Sequence, residues 1–294
     1  MQVSGTNIAF IGTGVMGASM AGHLLKAGAR VTVFNRTKSK TDALVAAGTT
    51  WADSPAKAAS GADIVFTMVG YPSDVEAVYL GPEGIITASK PGTLLVDFTT
   101  SNPELAARIS GAAAAAGRIA IDAPVSGGDT GARNATLSIM VGGDETAFAA
   151  AKPFFDVMGK TAILQGGPGA GQYTKMANQI SVAASLIGTV ESMLYAEKAG
   201  LDPRRVLDSI GGGAAQSAQL VNMAPRMLSG DFEPGFYSKH FLKDLRIALD
   251  SATAMELKLP LLTLAESLFT RMQEHGFGEK GTQALYRLYR DGNH

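Results

Sequence analysis

The chain has 294 residues, enough at roughly 150 residues per domain for two domains with separate cores. Lys and Arg number 25 and Asp and Glu 26, and a formal net charge of −1 gives no electrostatic reason to expect nucleic acid or an anionic membrane as partner. A composition that is 46% hydrophobic and 17% charged excludes a disordered chain, and the lack of cysteine excludes disulfides, thiolate metal sites and cysteine nucleophiles. No window of 18 apolar residues suggests a membrane span, and no basic segment followed by a long apolar run suggests a signal peptide. The expected location is therefore cytoplasmic.

In chain order, strand-like apolar runs occur at Asn7–Ile11, Arg30–Phe34, Asp63–Met68, Thr93–Phe98, Arg118–Asp122 and Leu137–Val141. Several are apolar on both faces, as buried parallel strands are. Helical stretches fall between them at Val15–Ala27, Lys38–Ala47 and Glu104–Ala116, each followed by a glycine suited to a helix C-terminus. This alternation predicts an α/β domain with a doubly wound, Rossmann-type sheet over residues 1–165. After about residue 164 the strand pattern stops, and Gly166-Gly167-Pro168-Gly169 interrupts the chain. Residues 166–294 then read as an all-helical domain, with a long, mostly apolar helix over about 172–199. Asp202-Pro203 starts the next helix, and further helices are expected at Lys239–Met255, Pro260–Glu274 and Gly278–Tyr289. The long helix is so apolar that it forms either the core of its domain or a dimer seam.

Four motifs carry chemistry. The first, Gly12-Thr13-Gly14-Val15-Met16-Gly17, is a G-x-G-x-x-G directly after a strand and opening a helix. There Gly12 permits a tight turn, Gly14 lets the backbone approach a pyrophosphate, and Gly17 lets helix and strand pack closely. At the end of the second strand, an NAD site needs an acid for the ribose 2′-hydroxyl, but this chain has Asn35-Arg36-Thr37, with Lys38 and Lys40 beyond. A guanidinium binds a 2′-phosphate where a carboxylate would repel it, so NADP is expected, with NAD possible. The alternative is that these basic residues merely solvate a helix start.

The second turn motif is Asp122-Ala-Pro-Val-Ser126-Gly127-Gly128. Its hydroxyl and backbone N–H groups suit a small carboxylate, although spacing alone reads equally as an ordinary turn. In Gly169-Ala-Gly-Gln-Tyr-Thr-Lys175-Met-Ala-Asn178-Gln179, Lys175 and Asn178 lie three apart on an apolar helix. Desolvation there lowers a lysine's pKa and suits it to proton transfer, whereas a first-turn lysine taken alone more often snorkels to water. Phe241-Leu-Lys243-Asp244 opens a later helix, and the four scattered histidines show no metal-ligand spacing, so no metal is expected.

With Phe232-Glu-Pro-Gly-Phe236 and Lys243-Asp244-Leu245, these motifs appear in the order found in the β-hydroxyacid dehydrogenases, which the chain resembles over essentially its whole length. That family includes 3-hydroxyisobutyrate dehydrogenases, tartronate semialdehyde (2-hydroxy-3-oxopropionate) reductases and glyoxylate/succinic semialdehyde reductases. The resemblance implies a Rossmann-type domain, a long linking helix and a helical domain, with the active site in the cleft between domains. It makes Lys175 the catalytic acid/base and gives the substrate carboxylate to Ser126, Gly127 and Gly128, with Asn178 assisting. Met68, Val69, Thr100, Lys243 and Asp244 join the cofactor residues named above. A homodimer or homotetramer and a small carboxylate substrate are implied, without nucleic acid or membrane partners. Asn178-Gln179 and the run Thr136–Gly143 look most like the tartronate semialdehyde reductases, while Asn134-Ala135 and Gly70-Tyr71-Pro72 depart from the usual pattern. A non-catalytic dinucleotide-binding protein on the same fold has no need of Lys175. Imine reductases usually replace that lysine, and 6-phosphogluconate dehydrogenase has a much longer helical region.

Overall fold

In the computed structural model, which describes residues 1–292, the first apolar runs pair as parallel strands. Chain order gives β1 (Asn7–Ile11), α1 (Gly17–Lys26), β2 (Arg30–Phe34), α2 (Asp42–Ala46), β3 (Thr50–Trp51), α3 (Pro55–Ser60), β4 (Ile64–Thr67), α4 (Pro72–Leu80), α5 (Ile85–Ala88) and β5 (Leu94–Asp97). Next come α6 (Pro103–Ala115), β6 (Ile119–Asp122), β7 (Val125–Ser126), α7 (Gly128–Arg133), β8 (Leu137–Gly142), α8 (Glu145–Met158) and β9 (Gly159–Gly166). The strand order is β3-β2-β1-β4-β5-β6-β8-β7, with β9 on the outer side of β8. From β3 to β6 every pair is parallel, which is the doubly wound order; β8 then runs antiparallel to β6 and β7.

Alternate side chains build a core on each face of this sheet. Ile8, Phe10, Ile64, Phe66, Leu94 and Val96 pack on one side; Ala9, Ile11, Val65 and Leu95 pack on the other. Because both faces are covered, the central strands are continuous apolar runs, and the sequence locates them within a residue or two.

Three expectations change. The stretch Lys38–Ala47 is a 3₁₀ turn at Lys38–Thr41 followed by α2. Strand β9 is absent from the sequence-based expectation: it is an edge strand with half-exposed and exposed residues, so it lacks the apolar run that marks the others. The helix expected from Gly278 begins only at Thr282. Gly281 N–H donates to the Phe232 carbonyl and Ser238 N–H to the Lys280 carbonyl, which hold residues 280–281 out of helical pairing.

Beyond the sheet, α9 (Ala170–Lys198), α10 (Pro203–Ile210), α11 (Ala224–Ser229), α12 (Ser238–Ala254), α13 (Pro260–Glu274) and α14 (Leu285–Arg290) follow. Asp202 caps α10 by accepting from Arg204 N–H at 2.9 Å. Leu186, Val190, Phe241, Leu245, Phe269 and Leu285 form the centre of this helical core. The chain separates into two compact units, residues 1–175 and the residues from 176 onward. This division lies ten residues beyond 165, because the first turns of α9 dock on the ends of β6 and β8.

Candidate active site

The docking of α9 starts from one buried carboxylate. Asp122 ends β6, and its Oδ1 accepts from Gly169 N–H at 2.8 Å while Oδ2 accepts from Gln172 N–H at 2.9 Å. These are the unpaired donors of a helix N-terminus, and an anion there also meets the positive end of the helix dipole. Gly171 makes the approach possible: a Cβ there would lie 2.4 Å from the Met140 carbonyl oxygen and 2.7 Å from Asp122 Oδ2. Gln172, fully buried, then reaches across to the loop after β5, accepting from Ser101 N–H at 2.9 Å and donating to the Thr99 carbonyl at 2.8 Å. Its amide thus brackets Thr100.

One turn later on α9 stands Lys175. Its side chain does not snorkel to water but is buried, 6% exposed, with Nζ donating to the Val125 carbonyl at 2.9 Å. The ammonium therefore sits at the peptide preceding Ser126, beside the turn expected to hold a carboxylate. That turn is shaped by two consecutive glycines at φ +132° and +62°, Gly127 and Gly128, conformations that side chains disfavour. Gly127 is exposed, while Ser126 and Gly128 are half-buried.

The residues expected at the cofactor in the first unit follow the C-terminal ends of β1, β2, β4 and β5, where open α/β sheets bind ligands. The glycines of the first loop answer to different demands. A Cβ on Gly12 would lie 2.1 Å from the Met68 carbonyl oxygen, and one on Gly17 would lie 1.9 Å from the Gly12 carbonyl oxygen, so the protein's own packing requires both. Around Gly14 nothing lies within 4 Å, so its bare backbone faces open space. No side chain caps α1 and no acidic residue stands in its first turn. Val15 is exposed and Met16 half-buried beside this helix start, which fits a pyrophosphate.

Thr13 and Asn35 shape the loop from within. Thr13 N–H donates to Asn35 Oδ1 at 3.1 Å, and Asn35 Nδ2 donates to the Thr37 carbonyl at 3.0 Å. Arg36 reaches solvent and pairs with Asp74.

A second buried carboxylate, Asp97, braces the rim. Its Oδ1 accepts from Thr67 Oγ1 and Thr99 N–H, both at 2.9 Å, and Thr99 Oγ1 accepts from Val69 N–H at 3.0 Å. Asp97 and Asp122 are register neighbours on β5 and β6. Burial pushes each carboxyl up to about 6, against hydrogen bonds that pull it down. Sequence reasoning gives Asp97, Asp122 and Gln172 no role. The available signal is a polar residue closing an apolar strand or opening a helix that is otherwise apolar.

In the second unit, Asn178 Nδ2 donates to Gln179 Oε1 at 2.8 Å, and Gln179 Nε2 donates to Asp244 Oδ2 at 2.6 Å. Asp244, 2% exposed, also pairs with Lys243 Nζ at 2.9 Å. Its carboxylate is thus taken up by Gln179 and Lys243, and of this pair Lys243 is the side chain with greater exposure. Among the described residues no group of three or more His, Asp or Glu side chains could hold a metal ion. No helix of the described residues is long and apolar enough to cross a membrane.

Comparison with known proteins bears on the whole chain. Residues 7–167 match the family model described as the NAD binding domain of 6-phosphogluconate dehydrogenase, and residues 169–289 match that described as NAD-binding of NADP-dependent 3-hydroxyisobutyrate dehydrogenase. The chain is 51% identical, over 96% of its length and 84% of the other's, to the Arabidopsis thaliana protein named "Probable 3-hydroxyisobutyrate dehydrogenase-like 1, mitochondrial". It is 39% identical to the 2-hydroxy-3-oxopropionate reductase of Escherichia coli (strain K12), over 95% of both chains. A solved structure of Mycobacterium tuberculosis 3-hydroxyisobutyrate dehydrogenase with L-serine superposes with a TM-score of 0.88 at 32% identity, covering 97% of this chain and 99% of the other.

Proposed function

The chain belongs to the β-hydroxyacid dehydrogenase family, and from that premise we propose that it interconverts a small 3-oxo acid and its hydroxy acid, 2-hydroxy-3-oxopropionate first. As a member it is an oxidoreductase acting on a CH–OH group with a nicotinamide dinucleotide. When bound, that cofactor supplies or accepts the hydride. The observation that carries the reading is the 2.9 Å contact of Lys175 Nζ with the Val125 carbonyl, which sets a buried proton donor beside Ser126-Gly127-Gly128.

In this reading Ser126 Oγ and the backbone of Gly127 and Gly128 hold the substrate carboxylate, and Asn178 assists at the substrate. Lys175 Nζ gives its proton to the carbonyl oxygen in reduction and takes it from the hydroxyl in oxidation. The Escherichia coli relative's name supports 2-hydroxy-3-oxopropionate, as does Asn178-Gln179. 3-Hydroxyisobutyrate is the second candidate, supported by the name of the Arabidopsis relative. The cofactor is NADP in preference to NAD, with Arg36 on the 2′-phosphate, Asn35 and Thr37 shaping that rim, and Met68, Val69, Thr100 and Lys243 lining the site. Residues 1–165 bind most of the cofactor and hold the substrate carboxylate, while the helical part beyond 165 supplies Lys175, Asn178, Lys243 and the assembly surface. The active protein is a homodimer or homotetramer: Tyr173, Ala177, Ser181, Gly188 and Tyr195 form an exposed stripe of α9 that suits close packing of a second copy.

Nicotinamide absorbance followed over a panel of short oxo acids, hydroxy acids and their methyl esters tests the substrate. Free acids should turn over and methyl esters should not; equal turnover of the esters would refute the carboxylate clamp. Lys175→Ala should lower kcat by about 10²–10⁴ while retaining cofactor binding, the usual worth of a general acid/base. A variant keeping half its activity would exclude the role.

A further inference from the structure

Where an NAD site sets its ribose acid, at the end of β2, this chain has Asn35, whose amide is spent on Thr13 and Thr37. The next side chain, Arg36, is 79% exposed, and its Nη1 donates to Asp74 Oδ1 at 2.7 Å. Asp74 is the better-fixed partner. It is the third residue of α4, its Oδ2 accepts from Tyr71 N–H at 3.2 Å, and its side chain is only 19% exposed. A carboxylate anchored to the start of α4 thus holds an exposed guanidinium in place.

We propose that Asp74 sets how far NADP is preferred over NAD: it brings, from the helix after β4, the carboxylate that β2 lacks, and it occupies the guanidinium that a 2′-phosphate would bind. The proposal rests on the reading of Arg36 given above. A 2′-phosphate must share or displace the Arg36–Asp74 pair, and its own negative charge then lies near the Asp74 carboxylate. The 2′-hydroxyl of NAD meets neither obstacle. The pair therefore narrows the gap between the two cofactors without removing the arginine that creates it. An exposed ion pair is weak and salt-screened, so removing the acid should favour the phosphorylated cofactor by only about 3- to 10-fold.

Asp74→Asn separates the parts, because the amide oxygen still accepts from Tyr71 N–H and the start of α4 is kept. Calorimetry with 2′,5′-ADP and 5′-AMP at low ionic strength reads the 2′-phosphate directly, independently of turnover. The variants compared are Asp74→Asn, Arg36→Ala and the double substitution. Asp74→Asn should tighten 2′,5′-ADP about 3- to 10-fold, leave 5′-AMP unchanged and raise the NADPH/NADH ratio of kcat/KM to match. The gain should shrink in the double variant to what relief of the charge repulsion alone supplies. Unchanged or weaker 2′,5′-ADP binding in Asp74→Asn would overturn the proposal, as would an equal gain in the double variant. If Arg36→Ala weakens 2′,5′-ADP but Asp74→Asn does not tighten it, Asp74 alone loses its role. If Arg36→Ala binds 2′,5′-ADP as tightly as the parent, the reading of Arg36 falls and this proposal with it.

Discussion

Asp122 and Asp244 are both almost wholly buried, yet peptide N–H groups hold the first and side chains hold the second. At Asp122 the partners belong to the first turn of α9, so the carboxylate fixes where a backbone segment lies, and Lys175 follows one turn later. At Asp244 the partners are Gln179 and Lys243, so the carboxylate fixes the directions of two side chains. The difference teaches where the site's precision resides. In the first unit geometry is set by the backbone and tolerates little added volume; in the second it is set by exchangeable polar groups.

The harshest way to break the first arrangement is to add a single carbon. Gly171→Ala sets a Cβ against the Met140 carbonyl, the Asp122 carboxylate and Gly142 N, none of which can yield without moving strand or helix. We expect a loss of about 2–4 kcal/mol in denaturant unfolding together with a large fall in kcat. Gly111→Ala, inside α6 with nothing within 4 Å of the new carbon, is the control. It should be neutral or stabilise by up to about 1 kcal/mol. Equal behaviour of the two variants would contradict the docking account.

A milder test removes charge without removing shape. The folded protein holds the Asp97 carboxyl at about 6, above its ordinary 3.8. Between those values the native state binds more protons than the unfolded state, so this group's contribution to stability falls as pH rises through that window. In Asp97→Asn the new amide oxygen can still accept from Thr67 and Thr99. The variant should therefore gain on the wild type by about 1–3 kcal/mol between pH 4 and pH 7 in denaturant titrations. A pH-independent difference would mean that the carboxyl is not destabilised by burial.

The smallest effect is expected in the second unit. Asp244→Asn leaves Gln179 a weaker partner and releases Lys243 from its ion pair. It should raise KM for the cofactor a few-fold, with about 1–2 kcal/mol lost in stability. A larger loss of stability than that of Gly171→Ala would reverse the contrast drawn between the two aspartates.

The sheet is legible because its central strands are buried on both faces and read as uninterrupted apolar runs. Strand β9 is not, because an edge needs no such run, and two-residue strands such as Thr50–Trp51 are too short to leave a pattern. For the glycine loop, a Cβ on Gly12 or Gly17 would meet backbone carbonyls, whereas Gly14 faces open space. The roles of Asp122 and Gln172 stay invisible because their partners are backbone groups brought from distant segments, Gln172 and Thr99 being 73 residues apart, and that of Asp97 because its Thr67 partner lies 30 residues away. Asp74 escapes notice for a related reason. Arg36 can be read for its charge, but its partner 38 residues away cannot.

Strand β9 has a practical side. It pairs only with β8, so its outer backbone groups face away from any other strand among the described residues, and Ile163 is 53% exposed on it. An open row of peptide donors and acceptors with an apolar side chain in its middle is a template for strand addition by another molecule. Lys160 at one end and the glycines at both termini offer only partial protection. When the protein is concentrated or warmed, aggregation is therefore expected to begin along this margin of the sheet, on the side of β8 away from β6 and the cofactor strands.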